Sequence, residues 1–140
     1  MAALTADRTT KTSEQPLLRD LPVAAGVTIY NGAMVAVDSS GYARPARTST
    51  TDTVMGANVN GTVDNSAGAN GAVNVRVLCA GHVAYFVNNA GSITGNQIGK
   101  DVFAVDDQTV DATNGTNTRV RAGKCFSVDA TNGVGVLFDQ

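Results

Sequence analysis

His82 is the single histidine of this 140-residue chain, and Cys79 and Cys125 are its two cysteines. A Ser-His-Asp or Cys-His catalytic arrangement would have to use this histidine. No nucleophile motif accompanies it, and it lies in a run typical of a β-strand. A zinc site needs about four nitrogen or sulfur ligands, so these three residues fall one short. We therefore predict that the protein is not an enzyme and has no metal or cofactor site.

Residues 95–101, Gly-Asn-Gln-Ile-Gly-Lys-Asp, resemble a phosphate-binding loop at first sight. That motif needs four residues between its glycines and a Ser or Thr after the lysine. Here three residues separate Gly95 from Gly99, and Asp101 follows Lys100. The carboxylate of Asp101 would repel a phosphate. We expect an ordinary loop that binds no nucleotide.

The phrase Val-Asp-Ala-Thr-Asn-Gly occurs twice, at residues 110–115 and 128–133. Asp accepts a hydrogen bond from the backbone two residues on, and Asn-Gly suits the positive-φ positions of tight hairpins. Each copy therefore predicts the end of a strand followed by a hairpin turn. These aspartates, with Asp106 and Asp107, are better explained by turns than by calcium, because the alternating ligands and terminal Glu of an EF-hand loop are missing.

The elements between the turns are short and β-like. Residues 73–79 alternate, with Val73, Val75, Val77 and Cys79 on one face, which indicates a half-buried strand. Aromatic residues make up only 5% of the chain, so the core must be mostly aliphatic. Similar segments recur about every ten residues, at 27–30, 34–37, 54–59, 82–87, 102–105, 119–121, 124–128 and 134–138. This spacing predicts an all-β protein, a small antiparallel β-sandwich or β-barrel with little or no helix.

Two short turns are predicted to link neighbouring segments, the first of them as a local hairpin. Asn31-Gly32 is expected to return the strand 27–30 along 34–37. Ala80-Gly81 is expected to turn the strand 73–79 into 82–87.

The first 21 residues differ from the rest, being rich in Thr and mixed charge and lacking hydrophobic periodicity. We predict an extended N-terminal arm (1–21) ahead of a single β domain (22–140). Such a polar segment needs a partner to order it. The alternatives are another copy of the chain, a different protein, or the arm's own domain.

Composition narrows the setting. The net charge of −2, with scattered Lys and Arg, argues against nucleic acid as a partner. The N-terminus has no signal-peptide core, and no run approaches the roughly 18 apolar residues of a membrane span. We expect synthesis in a cytoplasm, where both cysteines would be thiols acting as small buried hydrophobes.

Several segments, taken in order, resemble the head decoration, or capsid cement, proteins of tailed bacteriophages. The matching segments are Leu-Thr-Ala-Asp-Arg at 4–8, Leu-Pro-Val-Ala-Ala-Gly-Val-Thr-Ile-Tyr-Asn-Gly-Ala-Met-Val-Ala at 21–36, Gly-Tyr-Ala-Arg-Pro-Ala at 41–46, Val-Asp-Asn-Ser-Ala-Gly at 63–68, and Ile-Gly-Lys-Asp-Val-Phe-Ala-Val-Asp-Asp-Gln-Thr-Val at 98–110.

The resemblance implies a β-rich virion protein, assembled in the bacterial cytoplasm, that binds the outer surface of the icosahedral capsid and stabilises it. Its partners would be the major capsid protein and other copies of itself, with a trimer favoured over a dimer. The arm would contact the capsid or a sister subunit. The expected contact residues are Leu4, Thr5, Ala6, Asp7, Arg8, Thr9 and Lys11.

Two other functions remain open at this point. One is a phage tail-tube or connector subunit, which would assemble into rings. The other, from a different class, is a carbohydrate-binding module for adhesion. Sugar sites usually present exposed aromatic rings for stacking; with no Trp in the chain, Tyr42 and Tyr85 would have to provide them.

Overall fold

The structure, a computed structural model, describes residues 3, 5–9 and 18–140. Strands make up 43% of the described residues and helical turns 5%, so the predicted all-β class is confirmed. The helical turns are two single 3-10 turns, Asn89–Gly91 and Gly95–Gln97. Twelve strands lie within the described part of the chain: β1 (Leu18–Pro22), β2 (Thr28–Ile29), β3 (Met34–Val37), β4 (Ala43–Pro45), β5 (Thr53–Asn58), β6 (Val63–Asp64), β7 (Asn74–Leu78), β8 (Val83–Asn88), β9 (Asp101–Ala104), β10 (Thr109–Asp111), β11 (Arg121–Asp129) and β12 (Gly133–Leu137).

The first half of the chain forms an antiparallel sheet in the order β1-β7-β5-β3-β4. A two-stranded ribbon, β2 with β6, accompanies it. The predicted strand 73–79 is confirmed as β7, whose Val75 and Val77 are buried while Asn74 and Arg76 are exposed. This alternation was readable because one face of β7 packs on the core and the other meets solvent.

The second half forms a closed five-stranded barrel in the order β10-β8-β12-β11-β9. Its pairs are antiparallel except β10 with β8, which run parallel. The separate predictions at 119–121 and 124–128 fall largely in the single long strand β11. Closure of the barrel removes the exposed edges that an open sheet would leave.

Two hydrophobic clusters share the first sheet. One cluster joins Met34 and Ala36 of β3 to the barrel interior, where Phe86 and Phe138 meet edge to face with ring centroids 6.1 Å apart. The other contains Val35 of β3 with residues from β1, β2, β4 and β7. Strand β3 is therefore buried on both faces, and its residues belong to both hydrophobic clusters.

The hairpin predicted at Asn31-Gly32 is wrong, whereas the turn predicted at Ala80-Gly81 is present but joins strands that do not pair. Strand β2 pairs with β6, while β3 pairs with β4 and β5, so Asn31-Gly32 separates strands that are not neighbours. Ala80-Gly81 does form a turn, but β7 belongs to the first sheet and β8 to the barrel. In both places the tertiary pairing of the strands overrides the local turn signal.

Strand β1 crosses the predicted boundary between arm and domain. Leu21 is buried, and Asp20 accepts a hydrogen bond of 2.9 Å from Arg76 Nε on the paired strand β7. Pro22 fits here because β1 is the edge strand of its sheet, where a missing N–H is tolerated. The division into an arm and one domain remains a prediction, with residues 18–21 now placed in the sheet.

Candidate functional site

The predicted arm contact is only partly described. Leu4 and Lys11 lie outside the described residues. The other predicted contact residues, Thr5, Ala6, Asp7, Arg8 and Thr9, are all exposed to solvent. Their backbone and side chains are therefore accessible to another molecule.

The residues with chemical potential lie apart from one another. His82 is half-buried in the β7–β8 connection. There its backbone N–H donates to the Cys79 carbonyl, and its backbone carbonyl accepts from the Phe138 N–H. Cys79 and Cys125 are thiols buried in different hydrophobic clusters, which confirms their prediction as small buried hydrophobes. Burial raises the pKa of the Cys125 thiol. Among the described residues, no three His, Cys, Asp or Glu side chains come together as a metal site would require.

The segment 95–101, predicted as a loop, contains the 3-10 turn Gly95–Gln97 and runs into β9 at Asp101. Asp101 begins β9 and accepts hydrogen bonds from Arg121 Nε at 2.7 Å and Lys124 Nζ at 3.2 Å, both on the neighbouring β11. The hydrogen bond from Arg121 holds the pKa of Asp101 below its ordinary value. Arg121 also bonds Asp139. This cluster of charges ties strands together across the barrel surface.

The second copy of the repeated phrase, 128–133, is the predicted hairpin turn between β11 and β12. Asp129 accepts hydrogen bonds from the Thr131 N–H at 2.7 Å and from Asn132 Nδ2 at 2.8 Å. The backbone N–H groups of Thr131 and Asn132 hold the pKa of this carboxyl below its ordinary value. Gly133 closes the turn with φ +95°.

The first copy, 110–115, is not a hairpin turn, and that prediction is wrong. Strand β10 pairs with β8 and β9, and residues 112–120 form a longer loop before β11 begins. The Asp111 carboxylate still accepts from the Thr113 N–H at 3.1 Å. The same local bond therefore forms in both copies, although only one copy joins paired strands.

Asp111 is buried, and its partners come from distant positions in the chain. Its carboxylate accepts hydrogen bonds from Asn89 Nδ2 at 2.6 Å and Ser92 Oγ at 3.1 Å, and Arg119 Nη1 lies 3.1 Å away. Burial alone would raise the pKa of Asp111, but these donors and the Arg119 charge outweigh it and hold the pKa below its ordinary value. Sequence reasoning missed this cluster, because Asn89 and Ser92 carry no local signal that they face an aspartate.

An open concave surface lies beside the second copy of the repeated phrase. An open groove of about 690 Å³ runs between β8 and the β11–β12 turn. Tyr85 and Val87 line it from β8, residues 129–132 line it from the turn, and Gln108 lines it from the connection before β10. This combination of an aromatic ring with amide, hydroxyl and carboxylate groups makes it the candidate binding site.

A second hollow of about 380 Å³ adjoins the first, since Gly32 and Gln108 line both. Tyr30 and Asp107 also line this hollow, and the Tyr30 ring is well exposed. Burial, together with the neighbouring Asp106 charge, raises the pKa of the Asp107 carboxyl. No cationic side chain of the described residues forms an ion pair with Asp107. We refer to the two hollows together as the tyrosine groove.

Of the two tyrosines considered from sequence for sugar stacking, only Tyr85 lies in the groove. Tyr42 is half-buried, with its ring against Gly71. Tyr30 was not singled out from sequence, because its neighbour Asn31-Gly32 indicated only a turn.

Comparison of the chain with protein-family models, with curated proteins and with solved structures found no match. Across the described residues, no helix has the length and apolar character needed to cross a membrane.

Proposed function

We propose that the protein is a virion structural protein that binds the outer surface of an assembled phage capsid and stabilises it. The observation that carries this proposal is the exposure of the described arm residues, Thr5 to Thr9, ahead of an edge strand. The family resemblance of the sequence supplies the identity of the partner, the major capsid protein.

Strand β1 gives the arm a mechanical anchor. It forms five consecutive residue pairs with β7, and the Asp20–Arg76 ion pair strengthens the same pairing. Force on the arm would therefore pass through β1 into the sheet. Anchorage of this kind suits a protein that holds neighbouring capsid subunits together.

The edge of β1 also offers a route for binding. An edge strand presents unpaired backbone N–H and C=O groups, to which an extended segment of a partner can add by strand pairing. Several copies joined in an oligomer would engage the shell together, and valency would raise avidity without stronger individual contacts. A homotrimer remains the favoured assembly.

The structure fixes where an arm deletion should stop. Removing residues 1–17 leaves β1 intact, whereas removing 1–20 would cut away most of the strand paired with β7. We expect the 1–17 deletion to fold with an unchanged urea midpoint and to lose binding to empty shells assembled from the major capsid protein of the same phage. Shell survival on heating provides the second measurement.

A chain with residues 5–9 in scrambled order is the matched control, since it keeps arm length and charge. Loss of binding in this control would show that the order of the arm residues matters. Full binding by the 1–17 deletion would contradict the role of the arm. If even the full-length chain does not bind the shells, or if negative-stain images show it in rings instead of on the shell surface, the decoration function itself is wrong.

A further inference from the structure

The tyrosine groove presents two exposed aromatic rings. Tyr85 is 45% exposed and Tyr30 63% exposed. The Tyr85 ring lies over Gly135 of β12, where an added Cβ would be 3.1 Å from the nearest ring atom, and its hydroxyl is 3.3 Å from Ser127 Oγ. The ring is therefore held in a defined position before any ligand binds, which lowers the entropy cost of stacking against it.

Polar groups near these rings keep hydrogen-bonding capacity that contacts within the fold do not satisfy. The Gln108 side chain is exposed and makes no hydrogen bond to the described residues, so its amide is available both to donate and to accept. The Asp107 carboxylate is half-buried and lacks an ion-pair partner there. Thr131 adds a hydroxyl from the β11–β12 turn. Amides and carboxylates at the side of an aromatic ring can bind the vicinal hydroxyls of a sugar while its C–H face stacks on the ring.

The charge of the groove narrows the ligand class. Asp107 lies in it beside Asp106, and Asp129 is part of its other wall. Among the described residues, no Lys or Arg lines either hollow. An anionic ligand would meet repulsion from these carboxylates with nothing to offset it. A neutral ligand rich in hydroxyl groups matches both the stacking surface and the charge.

We propose that the tyrosine groove binds a neutral oligosaccharide, with Tyr85 as the stacking platform and Gln108 and Asp107 as hydrogen-bonding partners of its hydroxyls. This is a second binding function, separate from the arm. It would allow a capsid-bound copy to hold the particle at a glycan-coated surface.

The test begins with the full-length protein on an array of glucose-, galactose-, mannose- and N-acetylglucosamine-terminated oligosaccharides, with sialylated and sulfated ones as the anionic arm. We expect binding to neutral members only. The affinity for the tightest binder is then measured by titration calorimetry. Tyr85→Ala should weaken it about tenfold or more, equivalent to about 1.4 kcal/mol. Gln108→Ala should weaken it several-fold.

Three control variants separate recognition from folding. Tyr85→Phe keeps the ring and should retain most of the affinity, even though it loses the Ser127 contact. Phe126→Ala removes another exposed aromatic outside the groove, and Asn96→Ala removes an exposed amide; both should bind as the parent does.

Four outcomes would overturn the proposal: no bound glycan on the array, binding to the anionic members alone, undiminished affinity in Tyr85→Ala, or light scattering that shows the groove joining two copies of the chain, with Tyr85→Ala abolishing the dimer. Deletion of residues 1–17 should leave glycan binding unchanged. Failure of capsid binding and failure of glycan binding are thus separate results.

Discussion

The two copies of Val-Asp-Ala-Thr-Asn-Gly are a comparison built into the molecule. In both, the aspartate accepts a hydrogen bond from the backbone N–H two residues on. At 128–133 the phrase joins two paired strands and ends at the surface beside the tyrosine groove. At 110–115 it leads from a short barrel strand into a loop, and its aspartate is buried among Asn89, Ser92 and Arg119.

The difference shows which properties belong to the phrase and which to its surroundings. The turn at the aspartate is local and forms wherever the phrase occurs. The hairpin, the burial of Asp111 and the close approach of Gly133 to β8 are imposed by the strands around each copy. Matched substitutions at equivalent positions should therefore change the unfolding free energy by unequal amounts. The size of each difference shows how much the surrounding strands contribute.

The largest inequality is expected at the final glycine. Gly133 has φ +95°, and an added Cβ would lie 2.3 Å from the Phe86 carbonyl oxygen, which belongs to backbone and cannot move aside. We expect Gly133→Ala to cost about 3 kcal/mol of unfolding free energy, from strain and overpacking together. Urea unfolding of the full chain provides the measurement.

Gly115→Ala is the matched change in the first copy. Gly115 has φ +62°, within the left-handed region, and its added Cβ would meet the Thr118 and Arg119 side chains, which can shift where a backbone carbonyl cannot. A cost of about 1 kcal/mol is expected. Equal costs at the two glycines would show that the close approach to β8 does not constrain Gly133.

For the aspartates we expect the larger loss of unfolding free energy in the first copy, the reverse of the glycines. Asp111→Ala removes a buried carboxylate and leaves the half-buried Asn89 and Arg119 and the Ser92 hydroxyl without this acceptor, so we expect it to lower the unfolding free energy by about 2 kcal/mol. Asp129→Ala removes bonds at the surface and should lower it by clearly less. Urea midpoints of the two variants decide this. A larger loss of unfolding free energy for Asp129→Ala would contradict this, because it would show that the hydrogen bonds of Asp129 stabilise the protein more than those of Asp111.

The same contrast explains what the sequence could and could not predict. The Asp–Thr turn bonds and the alternation of β7 depend on residues close together in the chain, and both were predicted. The parallel pairing of β10 with β8 and the position of β1 beside β7 depend on distant partners, so neither was predicted. The tyrosine groove was predicted only in part. Tyr85 was a candidate from sequence, but Gln108 and residues 129–132 reach the groove only through the closure of the barrel.

A smaller and pH-dependent difference is expected from the depressed pKa of Asp111. A carboxyl whose pKa is lower in the folded state contributes stability above its unfolded value, 3.8, and loses that contribution as the pH falls through the folded value. The parent should therefore be more stable than Asp111→Asn at pH 6, and the gap should shrink below about pH 4. Urea midpoints between pH 2 and pH 6 measure this gap.

The Asp129→Asn variant is the control for the pH series. The pKa of Asp129 is also depressed, but its donors are local backbone and Asn132 groups at the surface, so its gap from the parent should be narrower throughout. A gap for Asp111→Asn that widens toward low pH would contradict the sign assigned to its pKa shift.

The smallest inequality is expected at the asparagines. Asn114 accepts at Oδ1 from the Asn117 N–H and donates from Nδ2 to Asn117 Oδ1, which holds Asn117 at φ +62°. Asn132 makes a single side-chain bond, to Asp129. We expect Asn114→Ala to cost about 1 kcal/mol and Asn132→Ala about half of that, both measured by urea unfolding. Neither residue is buried, so the two substitutions differ mainly in the hydrogen bonds that they remove. Equal costs would mean that the Asn114 bonds in the loop at 112–120 stabilise the protein no more than the single Asn132 bond of the hairpin turn. The difference in stability between the copies would then come from Asp111 and Gly133 alone.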